Sequence, residues 1–135
     1  IEEIDKHHFN GNEEIATHLK AERIGKLQRE AESEILLPLL NFLKQKKGIK
    51  ILGNLDLSLD KKVPTISIDI KGNVEKVVHK LNKKGLMVGS GDFYAVRLLE
   101  SLGIELPSGV LRLSFVHYTK SEEINSLIKA LDQIL

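Results

Sequence analysis

The sequence predicts an α+β fold: a small, mostly antiparallel sheet with helices packed on one face. Three observations lead there. Helix-forming stretches alternate with short strand-forming ones, the apolar residues of each helix fall on one stripe, and glycine, asparagine or proline punctuates most junctions. No internal repeat is visible, and the interleaving does not suggest a solenoid.

Glu13 to about Lys47 is rich in Ala, Glu, Lys, Leu and Arg, all good helix formers. In its later part Ile35, Leu39 and Leu43 recur every fourth residue, with Leu36 and Leu40 beside them. Gly25 weakens this helix. Pro38 lacks an amide hydrogen and clashes with the preceding turn, so it should kink the helix or mark a fresh start. Gly48 sits where a C-terminal cap belongs. Ile49–Leu52 and Thr65–Ile70 read as strands, the second alternating Ile66, Ile68 and Ile70 against Ser67 and Asp69. The polar stretch Asn54–Lys62 joins them, with three isolated leucines.

The second half has cleaner punctuation. Asn73 caps a helix with Val74, Val77, Val78 and Leu81 on one face, and Gly85 closes it. Leu86–Val88 reads as a short strand. Asp92 or Ser90 should cap the next helix, with Phe93, Val96, Leu99 and Leu102 inward and Gly103 at its end. Pro107-Ser-Gly turns the chain into the strand beginning at Val110. The last helix should bury Ile124, Leu127, Ile128, Leu131 and Leu135.

Composition excludes more than it identifies. A net charge of +1, from 20 basic and 19 acidic residues, gives no electrostatic case for nucleic acid. No apolar run is long enough to cross a membrane, and the opening Ile-Glu-Glu-Ile-Asp does not resemble a signal peptide. Zero cysteines exclude a disulfide framework and make the cytoplasm the expected setting. His7, His8 and His18 lack the further ligands of a zinc site, and no metal site is expected. Gly89-Ser-Gly91 lacks the rest of a phosphate-binding loop, and Lys44–Lys50 reads as a solvated helix end. The first residue is Ile rather than Met, so a piece of something longer is expected.

One residue breaks the apolar pattern of the last strand. Along Val110–Val116 the side chains alternate: Leu111, Leu113 and Phe115 share one face, and Val110, Arg112, Ser114 and Val116 the other. A guanidinium between two valines must reach water, a carboxylate or a phosphate, because an unpaired buried charge is very costly. Arg112 is therefore either a ligand-binding residue or the wet side of an edge strand.

The residues that follow favour a ligand. Arg112-Leu-Ser-Phe-Val-His-Tyr, then a helix opening on Ser121-Glu-Glu-Ile, resembles the C-terminal signature of the class V aminotransferases. These are fold-type I enzymes that use pyridoxal phosphate, the cysteine desulfurases among them. Gly85-Leu-Met-Val-Gly-Ser-Gly-Asp-Phe-Tyr-Ala is similar to the loop ahead of that strand, closest to a desulfurase-like subgroup with Gly-Asp-Phe-Tyr-Ala. Val63-Pro-Thr-Ile-Ser-Ile resembles the strand that opens the family's small domain. The segments keep family order and together span most of Val63–Leu135.

The resemblance implies roles for particular residues. Arg112 would grip the α-carboxylate of an amino-acid substrate, for which its planar fork of donors is suited. Asp92, Phe93 and Tyr94 would form the rim of the active site, although Asp92 has the simpler alternative of a helix cap and Phe93 that of core. Tyr94 stands where the desulfurases carry their sulfur-accepting cysteine, and with no thiol in the chain these residues cannot form a persulfide. An aminotransferase, lyase or epimerase relative is the better match. His117 would support packing or donate a supporting hydrogen bond. Thr119-Lys120 replaces the family's Asn-Thr; Thr119 with Glu122 is spaced as a capping box, with Ser121 as alternative cap.

The same resemblance implies the rest of the enzyme. Pyridoxal phosphate would be held by a large domain ahead of Ile1; the 135 residues alone should bind no cofactor, carry no catalytic group and be inactive. Residues 1–35 would be the end of that large domain or a connecting helix, and residues 36–135 the small C-terminal domain. Expected partners are a small amino-acid substrate, the large domain of the same chain and, as is common in fold type I, a second subunit in a homodimer. The alternative is a freestanding α+β module that binds a small ligand or another subunit.

Overall fold

The structure, a computed structural model, describes residues 1–9, 15–56, 63–106 and 108–135. Two helices, α1 (Glu2–Phe9) and α2 (Thr17–Gln45), precede a pair of strands, β1 (Ile49–Leu52) and β2 (Thr65–Ile70). Then come α3 (Val74–Asn82), β3 (Gly89–Gly91), α4 (Val96–Ser101), β4 (Val110–Ser114) and α5 (Ser121–Ile134). The strands form one antiparallel sheet in the order β1-β2-β4-β3, the expected α+β architecture.

The alternation of β2 and β4 decides which face is covered. Ile66 and Ile68 lie opposite Leu113 and Leu111, and all four are buried. They pack against Leu36, Leu39, Leu40 and Leu43 of α2, Val74, Val77 and Leu81 of α3, and Ile124, Leu127 and Leu131 of α5. Each fully buried Leu or Ile side chain contributes roughly 1.5–3 kcal/mol, so this layer dominates the stability. The opposite face carries Leu52, Ser67 and Arg112 in line across three strands. The short α4 lies on that side, where Leu99 joins Ile104 and Val110 in a smaller cluster.

Local chemistry explains most boundaries. The Asn73 side-chain oxygen accepts from the Lys76 N–H at 2.8 Å and starts α3. Gly85 takes φ +77°, and Leu86 N–H reaches back to the Leu81 carbonyl at 3.1 Å, which ends it. Pro38 neither breaks nor restarts α2, which runs unbroken for 29 residues. It sits on the exposed side of the helix, where the Glu34 carbonyl that it leaves without a donor can be hydrated.

Several expectations need correction. The expected start at Glu13 and most of the loop at 54–62 lie outside the described residues, as does Pro107. The third strand is Gly89–Gly91, not Leu86–Val88, because Gly89 and Gly91 pair with Arg112 and Val110. Helix α4 begins at Val96, so Asp92 is not its cap, and Val96 and Leu102 are exposed rather than inward. The Thr119–Glu122 capping box does not form either. Thr119 Oγ1 instead accepts from Val116 N–H at 3.1 Å, and the Glu123 carboxylate accepts from Lys120 N–H at 2.8 Å to open α5.

Helix α1 was not legible in the sequence, and it is fastened to α2 by charge. Asp5, 1% exposed, receives Arg23 Nε at 2.5 Å and a second guanidinium nitrogen at 2.7 Å, while Lys20 reaches Glu2 at 2.7 Å. The same guanidinium lies 4.4 Å from the centre of the Phe9 ring. The hydrogen bonds from Arg23 hold the Asp5 carboxyl below its ordinary value of 3.8, against the opposing pull of burial. A lowered folded-state value means that the contribution is complete above pH 3.8 and is lost as pH falls through the folded value. Acid titration should therefore release α1 below pH 3.8. Hydrogen exchange of α1 amides reads this directly; protection in wild type that persists as fully as at neutral pH would refute it.

Candidate functional site

Arg112 projects from the centre of β4 on the face away from the main core, level with Ser67 on one side and Gly89 on the other. It is exposed, and it has no ion pair or side-chain hydrogen bond among the described residues. Its guanidinium carbon instead sits 3.9 Å from the centre of the Phe93 ring. The pair borders a half-open cavity of about 510 Å³. Leu52, Leu98, Leu99, Leu102 and Val110 make its walls largely apolar; Ser67, Asp92 and Arg112 supply the polar side chains. Such a site can hold a carboxylate on the guanidinium while an apolar group lies along the leucines.

The loop between β3 and α4 builds one wall. Phe93 and Tyr94 take φ +49° and +64°, a left-handed conformation that costs an ordinary residue roughly 1–2 kcal/mol. Two bonds offset that cost. The Asp92 carboxylate accepts from Tyr94 N–H at 2.7 Å, and the Asp92 carbonyl accepts from Ala95 N–H at 2.9 Å. Gly89 provides the space: a Cβ there would lie 3.3 Å from Phe93 Cζ. The ring thus lies across Gly89, directly beside Arg112.

The expected site residues separate into two groups. Arg112, Asp92 and Phe93 line one cavity, though Asp92 does not pair with Arg112. Tyr94 is fully exposed and stands outside the lining; His117 is exposed and meets Tyr118 edge to face at 5.2 Å. Ser67 and Gly89 were missed. Alternation placed Ser67 off the core face, but only the strand register puts it level with Arg112. Among the described residues no group of three or more His, Cys, Asp or Glu could hold a metal ion.

Known proteins resemble this chain in sequence and in fold. The sequence profile of "Aminotransferase class-V" matches residues 10–127. "Aminotransferase-like protein FGM3" of Gibberella zeae is 30% identical over 110 residues, which is 78% of this chain and 27% of that protein. The "Nonribosomal peptide synthetase-like enzyme fsqF" of Aspergillus fumigatus is 32% identical over 71% of this chain and 7% of its own length. The chain therefore spans about a quarter or less of the curated relatives it matches. Among solved structures, a cysteine desulfurase from Thermococcus onnurineus NA1 superposes with a TM-score of 0.72 at 24% identity, covering 84% of this chain and 27% of that one. The cysteine desulfurase CsdA of Escherichia coli gives 0.64 at 20% identity over 78% and 24%. These two share the fold. With the family profile covering nearly all of it, the chain belongs to the class V aminotransferase family.

Proposed function

We propose that this chain is the substrate-carboxylate-binding small domain of a pyridoxal-phosphate enzyme acting on an amino acid, with Arg112 holding the α-carboxylate. Residues 36–135 form that domain, and residues 1–35 lead into it from a large domain. The observation that supports the reading is a guanidinium at the edge of a cavity with an aromatic ring, and no carboxylate, against it. Two parallel charge-assisted hydrogen bonds fix the orientation of an amino acid at its Cα. The substrate's side chain then has the leucine wall to lie on.

The chain's own residues do not fit the cofactor that the family uses. Pyridoxal phosphate needs a lysine for its carbonyl carbon, an acid for its ring nitrogen and a cradle for its phosphate. Among the described residues no lysine lines the Arg112 cavity, and Arg112 is its single cation. The cofactor, which supplies an electron sink for the carbanion at Cα, is assigned to the large domain, and catalysis with it. The chain has no cysteine, so the sulfur chemistry of the desulfurases does not run through these residues. The working enzyme is proposed to be a cytoplasmic homodimer.

The test uses the full-length holoenzyme with L-alanine and L-alaninamide, which differ at the carboxylate. Binding is followed through the visible absorbance of the cofactor. Arg112→Lys keeps the charge and loses the fork, so the preference for alanine should fall about tenfold, the worth of roughly one such bond. An unchanged preference overturns the proposal.

A further inference from the structure

We propose that Phe93 is a positioning residue for Arg112, presenting the guanidinium edge-on to the incoming carboxylate; this rests on the reading of Arg112 above. The chain has spent considerable local order on bringing these two groups together. A 3.9 Å separation between the guanidinium carbon and the ring centre is well inside cation–π range. A ring stacked on one face of the guanidinium leaves open the nitrogen edge, where all five donors lie. A long, flexible arginine side chain is thereby restricted before any substrate arrives, and less freedom is lost on binding.

Three features hold the ring there. Gly89, level with Arg112 on the neighbouring strand, lacks the Cβ that would press on Phe93 Cζ at 3.3 Å. Phe93 and Tyr94 stay in a conformation that aromatic residues ordinarily avoid. The Asp92 carboxylate stabilises that turn through the Tyr94 N–H rather than pairing with Arg112, so the guanidinium keeps its donors for a ligand. Asp92 acts here through the loop and Phe93 through the guanidinium; neither needs to touch the reacting atoms.

The experiment again uses the full-length holoenzyme with L-alanine and L-alaninamide. Phe93→Leu keeps an apolar side chain and removes the ring. The preference for alanine over alaninamide should fall severalfold, the larger loss falling on alanine, and Phe93→Tyr should restore it. Gly89→Ala, which leaves both partners in place and crowds the ring, should narrow the preference in the same direction. Equal loss for both probes in Phe93→Leu would mean general damage to the loop and overturn the inference. So would a Phe93→Leu preference equal to wild type while Arg112→Lys still lowers it; the carboxylate reading would then stand without Phe93. If neither variant changes the preference, the reading of Arg112 falls and the inference falls with it.

Discussion

Gly109→Ala is expected to destabilise the chain by roughly 2–5 kcal/mol, combining a left-handed alanine with an overpacked contact. The position has φ +61°, and a Cβ there would lie 2.3 Å from the carbonyl carbon and oxygen of Gly91. Both opposing atoms are backbone, so no side chain can swing aside. The chain has to separate β3 from β4 at the Gly91–Val110 pair. Because β3 leads into the Asp92–Ala95 turn, the same change should disturb the seat of Phe93. Urea unfolding of wild type and variant gives the first number, and a midpoint that does not move refutes the claim. The Arg112-dependent preference for alanine gives the second, and it should shrink in the variant that remains folded.

The second large effect is expected in the covered layer of the sheet. Leu111 is 0% exposed and lies opposite Ile68 on β2 and Ser90 on β3. Leu111→Ala removes side-chain carbons from the layer between the sheet and helices α2, α3 and α5, which can collapse only partly. A loss of roughly 2–5 kcal/mol follows, as for other fully buried leucines. Met87→Ala is the control: Met87 is 96% exposed, and its change should stay within about 0.5 kcal/mol. Equal midpoints for the two variants in the same unfolding series would contradict this account of the core.

The layers of the fold were readable because they follow period. The every-other-residue pattern of Thr65–Ile70 and the helical stripe of Val74, Val77 and Leu81 each coincide with a described element. Helix α1 was not readable: its eight residues make a weak stripe, and its anchor, Arg23, is eighteen residues from Asp5. The start of α4 misled for a physical reason. An aspartate ahead of apolar residues looks like a helix cap, yet Asp92 bonds the amide two residues on and closes a turn instead. At the site, Arg112 stood out because charge interrupts an apolar strand. The ring against it did not, since nothing in the local propensity of Phe93 or Tyr94 announces a left-handed backbone. The register that levels Ser67 and Gly89 with Arg112 is likewise a property of strand pairing and not of any one segment.

Pro38 has a mechanical consequence. An unbroken α2 connects the α1 clasp to the leucines at 36–43 that hold the sheet. The rung that the proline removes lies between Glu34 and Pro38, just where the buried leucines begin. From there to Thr17 the helix is a shaft of roughly 30 Å, at 1.5 Å per residue. Flexing of about 10° at that rung would carry the far end through about 5 Å, while the leucines beyond it stayed clamped. The proline therefore puts the weak point of the hydrogen-bond ladder at the border between the free arm and the clamped leucines.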